Sequence, residues 1–172
     1  IFPGVGQTNL LTNGKLSLSN FPNMKTLDIT NTTLEELEIK SFPKLTRISI
    51  VNGNLNKITI TEATGLKELS LERNNLTALP TTFFDGLTKL TAINLLGNNI
   101  AGDINLTPVE GLKANASNIQ IMRTCTPCTP TLGNTQVRYI YVKTQGEADT
   151  LNGADGTGVY KSNTDSTPQE EN

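Results

Sequence analysis

One stretch, residues 66–100, limits what the chain can fold into more than any other part of the sequence. It contains the pattern LxxLxLxxNxL twice, beginning at Leu66 and again at Leu90, with the copies joined by LPxxxFxxLxxL. The fixed positions are Leu66, Leu69, Leu71, Asn74 and Leu76 in the first copy and Leu90, Ile93, Leu95, Asn98 and Ile100 in the second. Self-similarity at a fixed period of about 20–29 residues predicts a solenoid of stacked coils.

Each part of the pattern has a physical reason. The Leu-x-Leu part alternates as a short strand does, with both apolar side chains pointing inward. The Asn stands where the chain turns away from the sheet, and its amide can bond backbone groups that the bend leaves open. Because one coil cannot bury its own apolar face, several coils must stack.

The same register extends toward the N-terminus with a shorter period. Leu16, Leu37, Ile58 and Leu79 recur at one constant spacing, and Phe21, Phe42, Ala63 and Phe84 recur at the same spacing. Short alternating trios at 16–18, 37–39 and 58–60 predict a second strand on the far side of each early coil, and therefore little helix. Thr32 and Gly53 stand where later coils have Asn. Glycine has no side chain to bond the backbone, so the turn at Gly53 needs another solution.

Four segments are predicted along the chain. Residues 1–15 are an N-terminal cap or a degenerate first coil, and residues 16–124 form about five coils. Residues 125–144 form a C-terminal cap, in which QVRYIYVKT (136–144) is a strand that pairs with or covers the last coil. Residues 145–172 are acidic and rich in Gly, Asn, Ser and Thr, which predicts a flexible tail with a short strand or anchor at 159–160.

Composition excludes several classes of function. The chain has 172 residues, a net charge of −2 and no histidine. This net charge indicates no strongly basic face for nucleic acid, and the absence of histidine removes the commonest general base and metal ligand. No run of 18 apolar residues is present, so no transmembrane segment is predicted. The chain begins with Ile-Phe-Pro rather than Met, which favours a mature chain whose signal peptide has been removed.

Residues 16–124 resemble the extracellular leucine-rich repeat family. The likeness is strongest at residues 66–100, which are similar to repeats of Toll-like receptors, variable lymphocyte receptors and secreted arthropod immune proteins. The resemblance implies a curved, right-handed solenoid of the β-rich α/β class, with a parallel sheet on its concave face that recognises proteins. Two features depart from the family: its four-cysteine C-terminal cap is missing, and the early coils are shorter than its usual repeat.

The outward strand positions form columns across the predicted concave sheet. Outward apolar residues in one column, Val51, Leu96 and Met122, indicate a contact patch, and nearby charged side chains would orient a partner. The predicted binding residues are Arg47, Ser49, Val51, Glu68, Ser70, Glu72, Arg73, Asn94, Leu96, Gln120, Met122 and Arg123. For any one of them, a solvated surface position is the plainer interpretation.

Cys125 and Cys128 form the only CxxC motif. A redox motif would need a strand–helix context, and Pro130 disfavours a helix there. A zinc site would need two more ligands, and the chain has no other Cys and no His. A local structural disulfide is favoured, with free thiols or a bond to a second chain as alternatives. Residues 152–158 only weakly resemble a calcium loop, so no metal and no cofactor is predicted.

Four sequons for N-glycosylation support secretion: Asn31, Asn75, Asn105 and Asn115. No catalytic constellation is visible, so an enzyme is not predicted. The favoured function is a secreted module, monomeric or dimeric, that binds another protein through the concave face, in immunity or cell-surface recognition. The alternative is a structural or assembly protein of a surface coat or extracellular matrix without a soluble ligand.

Overall fold

The computed structural model describes residues 10–12, 14–109, 119–121, 136–142, 144–155 and 160–162. Within them the chain forms stacked coils of parallel strands with one helix, as the period of the sequence predicts. The strands are β1 (Leu10–Thr12), β2 (Lys15–Ser19), β3 (Thr26–Thr30), β4 (Glu36–Lys40), β5 (Arg47–Val51), β6 (Lys57–Thr61), β7 (Glu68–Ser70), β8 (Ala92–Asn94), β9 (Ala101–Asn105), β10 (Ile119–Gln120), β11 (Gln136–Val142) and β12 (Tyr160–Ser162), and the helix is α1 (Gln145–Asp155).

One parallel sheet runs the length of the coils. Its strand order is β10-β8-β7-β5-β3, and we call it the main sheet. Residues paired across neighbouring strands are one repeat apart in the sequence. The shorter repeat separates them in the early coils, as for Leu27 and Ile48, and the longer repeat separates them afterwards, as for Leu69 and Ile93. The inward leucines and isoleucines of these strands are buried, apart from Ile29 in the first of them, which is partly buried. The predicted strand pairs and their register are therefore confirmed.

A second sheet, of order β1-β2-β4-β6, covers the far side of the early coils. Strands β2, β4 and β6 are parallel, and β1 adds an antiparallel edge. Between the two sheets Phe21 and Phe42 stack with ring centroids 5.2 Å apart. The predicted second strand of each early coil is therefore confirmed.

The corners of the early coils use left-handed backbone at regular intervals. Residues 31, 52 and 73 follow the main-sheet strands with φ between 51° and 56°, and residues 20, 41 and 62 follow the second-sheet strands with φ between 57° and 64°. Hydrogen bonds join successive corners, as from the amide of Asn31 to the carbonyl of Val51 at 3.1 Å. The same tight bend, repeated in register, keeps the coils parallel.

A third sheet, of order β12-β11-β9, ends the described part of the solenoid. Strand β11 pairs in parallel with β9 of the last full coil. The prediction that residues 136–144 contain a strand beside the last coil is confirmed for Gln136–Val142.

The predicted flexible tail is wrong for residues 145–155, which are helical, whereas the short strand or anchor predicted at 159–160 is confirmed as a strand that begins at Tyr160. Residues 145–155 form α1, and residues 160–162 form β12. The helix begins with a capping box: Thr144 Oγ1 accepts from the Glu147 amide at 3.2 Å, and Glu147 Oε2 accepts from the Thr144 amide at 3.0 Å. Ala148 and Leu151 are buried and anchor the helix. Composition suggested disorder, but the local T-x-x-E signal and two apolar anchors favour the helix.

Candidate functional site

The outer face of the main sheet carries the columns predicted from the sequence. Parallel register places Arg47 beside Thr26 and Glu68, and Ser49 beside Asp28 and Ser70. Asn94 continues the second column beside Ser70. Because side chains alternate along a strand, residues in one column lie on one face about 4.8 Å apart. This face has the length of several coils and is formed by short strands without insertions.

Arg47 is the centre of an ion-pair chain that crosses three coils. Its Nε lies 3.4 Å from Asp28 Oδ1, and its Nη1 lies 3.0 Å from Glu68 Oε2. Two hydrogen bonds raise the pKa of Arg47, the larger effect coming from Asp28 and the smaller from Glu68. The guanidinium is charged at any physiological pH. About half of each side chain is exposed, so such pairs add only about 0.2–1 kcal/mol of stability. Their main effect is to fix where the charges point.

A second polar group is fixed where the strands end. Glu72 Oε2 accepts from Asn94 Nδ2 of the next coil at 3.0 Å. The other carboxylate oxygen of Glu72 lies 3.4 Å from Arg73 Nε. Asn94 Oδ1 in turn accepts from the Leu96 amide at 3.1 Å. These bonds hold Glu72 and Asn94 in one orientation.

Two predicted contact residues are less exposed than expected. Leu96 and Ser49 are each only 8% exposed, so neither presents much surface to a partner. Strand β8 ends at Asn94, whose side chain bonds the Leu96 amide, and the alternation of buried and exposed residues breaks there. The Ser49 side chain is short, and the longer Asp28 and Arg47 side chains lie beside it. Val51 and Ser70 are half-buried. The predicted apolar patch is therefore reduced to Val51 within the described residues.

Arg73 lies at a corner rather than on a strand. Its φ is 54°, and a Cβ added to Gly97 of the next coil would lie 2.9 Å from Arg73 Cγ. Glycine at 97 therefore leaves room for the arginine stem. The guanidinium of Arg73 faces Glu72, which joins the corner to the outer face.

Several predicted residues lie wholly or partly outside the described residues. For Gln120 only the backbone is described, and it pairs with Asn94 in the main sheet. Met122, Arg123, Cys125, Cys128 and Asn115 lie outside, so their roles remain predictions.

Asp28 belongs to the site but was not among the predicted binding residues. It contacts Arg47 diagonally, from the neighbouring strand and two positions along it. Diagonal neighbours in a sheet lie within reach of long side chains. The available sequence signal was an opposite-charge pair, Asp28 and Arg47, separated by slightly less than one early repeat.

Three of the four predicted glycosylation sites are described, and they differ in accessibility. Asn31 and Asn75 are exposed. Asn105 is half-buried. Its Oδ1 accepts from the Thr107 hydroxyl at 2.7 Å, and its Nδ2 lies 3.4 Å from the Thr81 carbonyl. The amide of Asn105 is thus engaged by its own coil and the one before it.

The described coils also carry grooves outside the main sheet face, of which two stand out. A groove of about 300 Å³ lies on the outer face of the second sheet, where Lys15 pairs with Glu36 at 2.9 Å. The hydrogen bond from Lys15 lowers the pKa of Glu36. A second groove, of about 360 Å³, lies at the N-terminal end of the core. Its lining is mainly apolar: Leu16, Leu18, Met24, Thr26, Leu27, Asp28 and Ile29.

The described residues contain no group of three or more His, Cys, Asp or Glu side chains arranged to hold a metal ion. Asn152, part of the weak calcium-loop pattern, lies in α1 and bonds both backbone groups of Tyr160, at 2.9 and 3.0 Å. Within the same described ranges, no helix is long and apolar enough to cross a membrane.

Comparison with known families gives a match to the family described as leucine rich repeat, over residues 64–105. Searches of curated proteins and of solved structures each find no significant match. The matched residues include both copies of the LxxLxLxxNxL pattern and strands β7, β8 and β9. Residues 64–105 therefore match leucine-rich repeats, and the stacked parallel sheets on either side of them are consistent with a leucine-rich repeat solenoid.

Proposed function

We propose that the chain is a recognition module that binds another protein through the outer face of the main sheet. The observation that carries this proposal is the chain Asp28–Arg47–Glu68, in which three coils hold alternating charges in fixed positions. Leucine-rich repeats are typically interaction scaffolds rather than enzymes. A non-enzymatic role is therefore part of the proposal.

The face favours a polar partner surface. Arg47 and Glu68 are exposed, while the column between the charged groups contains small side chains, Ser49 and Ser70. Because the ion pairs and the Glu72–Asn94 bond already fix the side chains, little conformational freedom is lost on binding. Mixed charges in fixed positions select a partner with the complementary pattern and raise the rate of encounter. We expect a wet interface with few apolar contacts.

Secretion is part of the same proposal. The four sequons support it, and two of the three described sites are exposed. A role in immunity or cell-surface recognition rests on the resemblance to extracellular repeat proteins.

Intact mass of the chain from its native source, before and after glycosidase, tests secretion. We expect glycan on Asn31 and Asn75 and little or none on Asn105, whose amide is already bonded. A chain without glycan would count against secretion. A mass that halves on reduction would indicate a covalent dimer and favour the assembly alternative.

Partner binding is tested with matched charge reversals. Arg47→Glu changes the outer face of the main sheet, and Lys57→Glu makes the same change at the corresponding first position of β6 on the second sheet. A photo-crosslinking residue at Thr26 or, as control, at Thr59 reports which face a partner touches. Both threonines are exposed.

We expect a crosslinked partner from Thr26 that is lost in the Arg47→Glu variant and retained in the Lys57→Glu variant. Equal crosslinking from Thr26 and Thr59 would reject the outer face as the binding surface. Large particles in sedimentation that are insensitive to both reversals would favour the structural or assembly protein.

A further inference from the structure

Four lysines follow the edge of the main sheet at which its strands begin. Each of four successive coils contributes one, and all four are exposed: Lys25, Lys44, Lys67 and Lys89. We call this row the lysine edge. It lies outside the set of residues assigned to partner binding.

Backbone hydrogen bonds place these lysines along the solenoid axis. The amide of Thr46 donates to the Lys25 carbonyl at 2.8 Å, and the amide of Lys67 donates to the Thr46 carbonyl at 2.9 Å. In the next coil, the amide of Thr91 donates to the Lys67 carbonyl at 2.8 Å. Lys25 and Lys67 therefore stand in one column, two coils apart.

The other two lysines lie in the adjacent column, two residues earlier in each coil. Lys44 Nζ donates to Asn23 Oδ1 of the preceding coil at 2.9 Å. Lys89 occupies the equivalent position in a later turn. The Leu45 amide donates to the Phe42 carbonyl across Lys44, and the Leu90 amide donates to the Leu87 carbonyl across Lys89, each at 3.2 Å. With about 4.8 Å between neighbouring strands, the four lysines occupy two adjacent columns along roughly 15 Å of the edge.

Among the described residues, no lysine of this edge forms an ion pair with an acidic side chain. The turns at 22–25, 43–46, 64–67 and 88–91 contain no Asp or Glu. The ion pairs of the described residues use Lys15, Arg47 and Arg73, and none uses a lysine of the edge. Like charges this close repel one another, so an anion bound along the row would be favoured.

We propose that the lysine edge binds a linear sulfated polysaccharide that runs along the solenoid axis. Sulfates spaced along an extended chain can meet one ammonium group per coil. Lysine is a compact charge on a flexible stem, which suits a series of sulfates without fixed geometry. The exposed residues Thr64 and Thr88 lie beside the row, and their hydroxyl groups can bond the sugar rings.

The surroundings of the row disfavour other polyanions. Phe21 and Phe42 at these turns are buried, so no exposed aromatic ring is available there to stack on the bases of a single-stranded nucleic acid. A stable protein interface normally has an apolar centre, and the exposed side chains of these turns are polar apart from Pro22 and Pro43. The row is only two columns wide, whereas an anionic membrane would favour a broad basic area.

The test compares two double variants of the full chain on immobilised heparin, a sulfated polysaccharide. Lys44→Gln/Lys67→Gln removes two central charges of the edge. Lys40→Gln/Lys57→Gln removes two exposed charges from the second sheet, so the two double variants have the same net charge. Circular dichroism checks that both remain folded.

We expect the parent chain to bind heparin at about 0.15 M salt, where surface charges are screened beyond about 8 Å. The edge variant should bind at least ten-fold more weakly. Its slope of log affinity against log salt should fall by about 1–2, because two fewer charges release counterions. The second-sheet variant should bind heparin as tightly as the parent chain does. Desulfated heparin should bind neither the parent chain nor the second-sheet variant.

Three results would overturn the proposal. One is no binding of heparin by the parent chain, and another is an equal loss in both double variants. The third is equally tight binding of double-stranded DNA with the same dependence on Lys44 and Lys67, which would show a charge patch without preference for sulfated sugar. Because none of these measurements uses the outer face of the main sheet, they are independent of the proposed protein partner.

Discussion

The early and late coils of this solenoid solve the same folding problem in different ways. The early coils, between residues 15 and 61, are closed on both sides by parallel strands of five residues. The late coils have main-sheet strands of two or three residues, and the coil of residues 66–90 has no strand on its far side. There the chain runs through turns at 81–86, where Phe83 and Phe84 meet edge to face at 4.9 Å.

Side-chain hydrogen bonds compensate for the missing strands. Asn74 Nδ2 donates to the carbonyls of Ile50 and Leu71 at 2.8 and 3.0 Å. Asn98 repeats this pattern one coil later, with bonds of 2.8 Å to Leu71 and 2.9 Å to Leu95. We call these two residues the asparagine ladder. It satisfies backbone groups inside the bend that the turn leaves without a backbone partner.

The asparagine ladder also explains how the coil before it is closed, although Gly53 stands there at the position of Asn74. Asn74 Oδ1 accepts from the Leu55 amide of the preceding coil at 3.2 Å. The coil with Gly53 is therefore closed by a side chain from the next coil. One coil earlier, Thr32 Oγ1 accepts from the Leu34 amide at 3.0 Å. Closure of a coil is thus a property of two neighbours, and not of one repeat.

The largest effect is expected from Asn74→Ala. Asn74 is 4% exposed, and its loss leaves the Ile50 carbonyl and the Leu55 amide without their partner. Buried groups left unsatisfied cost about 1–3 kcal/mol each, so we expect a loss of about 3 kcal/mol in the free energy of unfolding. Urea denaturation measures it.

Thr32→Ala is the matched change in an early coil. It removes one partly buried acceptor, so we expect a loss of only about 1 kcal/mol. Equal losses for Thr32→Ala and Asn74→Ala would show that the two kinds of coil do not differ in how they are closed.

Gly53→Ala tests the junction between the two kinds of coil. An added Cβ would lie 2.9 Å from both Asn74 Oδ1 and Thr32 Cγ2, so a neighbour must shift. We expect a destabilisation of about 1–3 kcal/mol in thermal or urea unfolding, typical of overpacking. When Asn74 is also alanine the cost should shrink, because one of the colliding atoms is gone.

Gly146→Ala is the control for that change. It lies in α1 with nothing within 4 Å of an added Cβ. Alanine favours a helix over glycine, so a gain of up to about 1 kcal/mol is expected. A gain at Gly53 as well would contradict close packing at the junction.

The smallest effect concerns the second sheet, which only the early coils possess. Lys15 holds the pKa of Glu36 below its ordinary value of 4.5. Because that pKa is lower in the folded chain than in the unfolded chain, the contribution to stability is complete above pH 4.5 and is lost as the pH falls through the folded value. The difference in free energy of unfolding between the parent and Lys15→Gln should therefore be largest above pH 4.5 and should shrink as the pH falls below it.

Unfolding measured from neutral pH down to pH 3 tests this expectation, with Lys40→Gln as control, since Lys40 makes no ion pair within the described residues. A difference between parent and Lys15→Gln that stays constant across that range would show that the Lys15–Glu36 pair does not contribute through the charge of Glu36.

The sequence by itself determined the repeat, its period and the alignment of the strands. Periodic leucines allow only one register, because a slip by one residue would turn the buried face of each strand to solvent. The role of Asn74 and Asn98 in the bend could also be predicted, since an amide there is the simplest partner for open backbone groups. The columns that contain Arg47 and Glu68 followed directly from the period.

Only the tertiary structure decided which side chains meet and which are covered. The choice of Asp28 as a partner for Arg47 depends on a diagonal contact between strands, and the burial of Leu96 depends on where β8 ends. The closure of the Gly53 turn depends on Asn74 in the next coil. The register of a solenoid is set by short, repeated spacings, whereas these contacts arise between coils and depend on side-chain geometry that no spacing specifies.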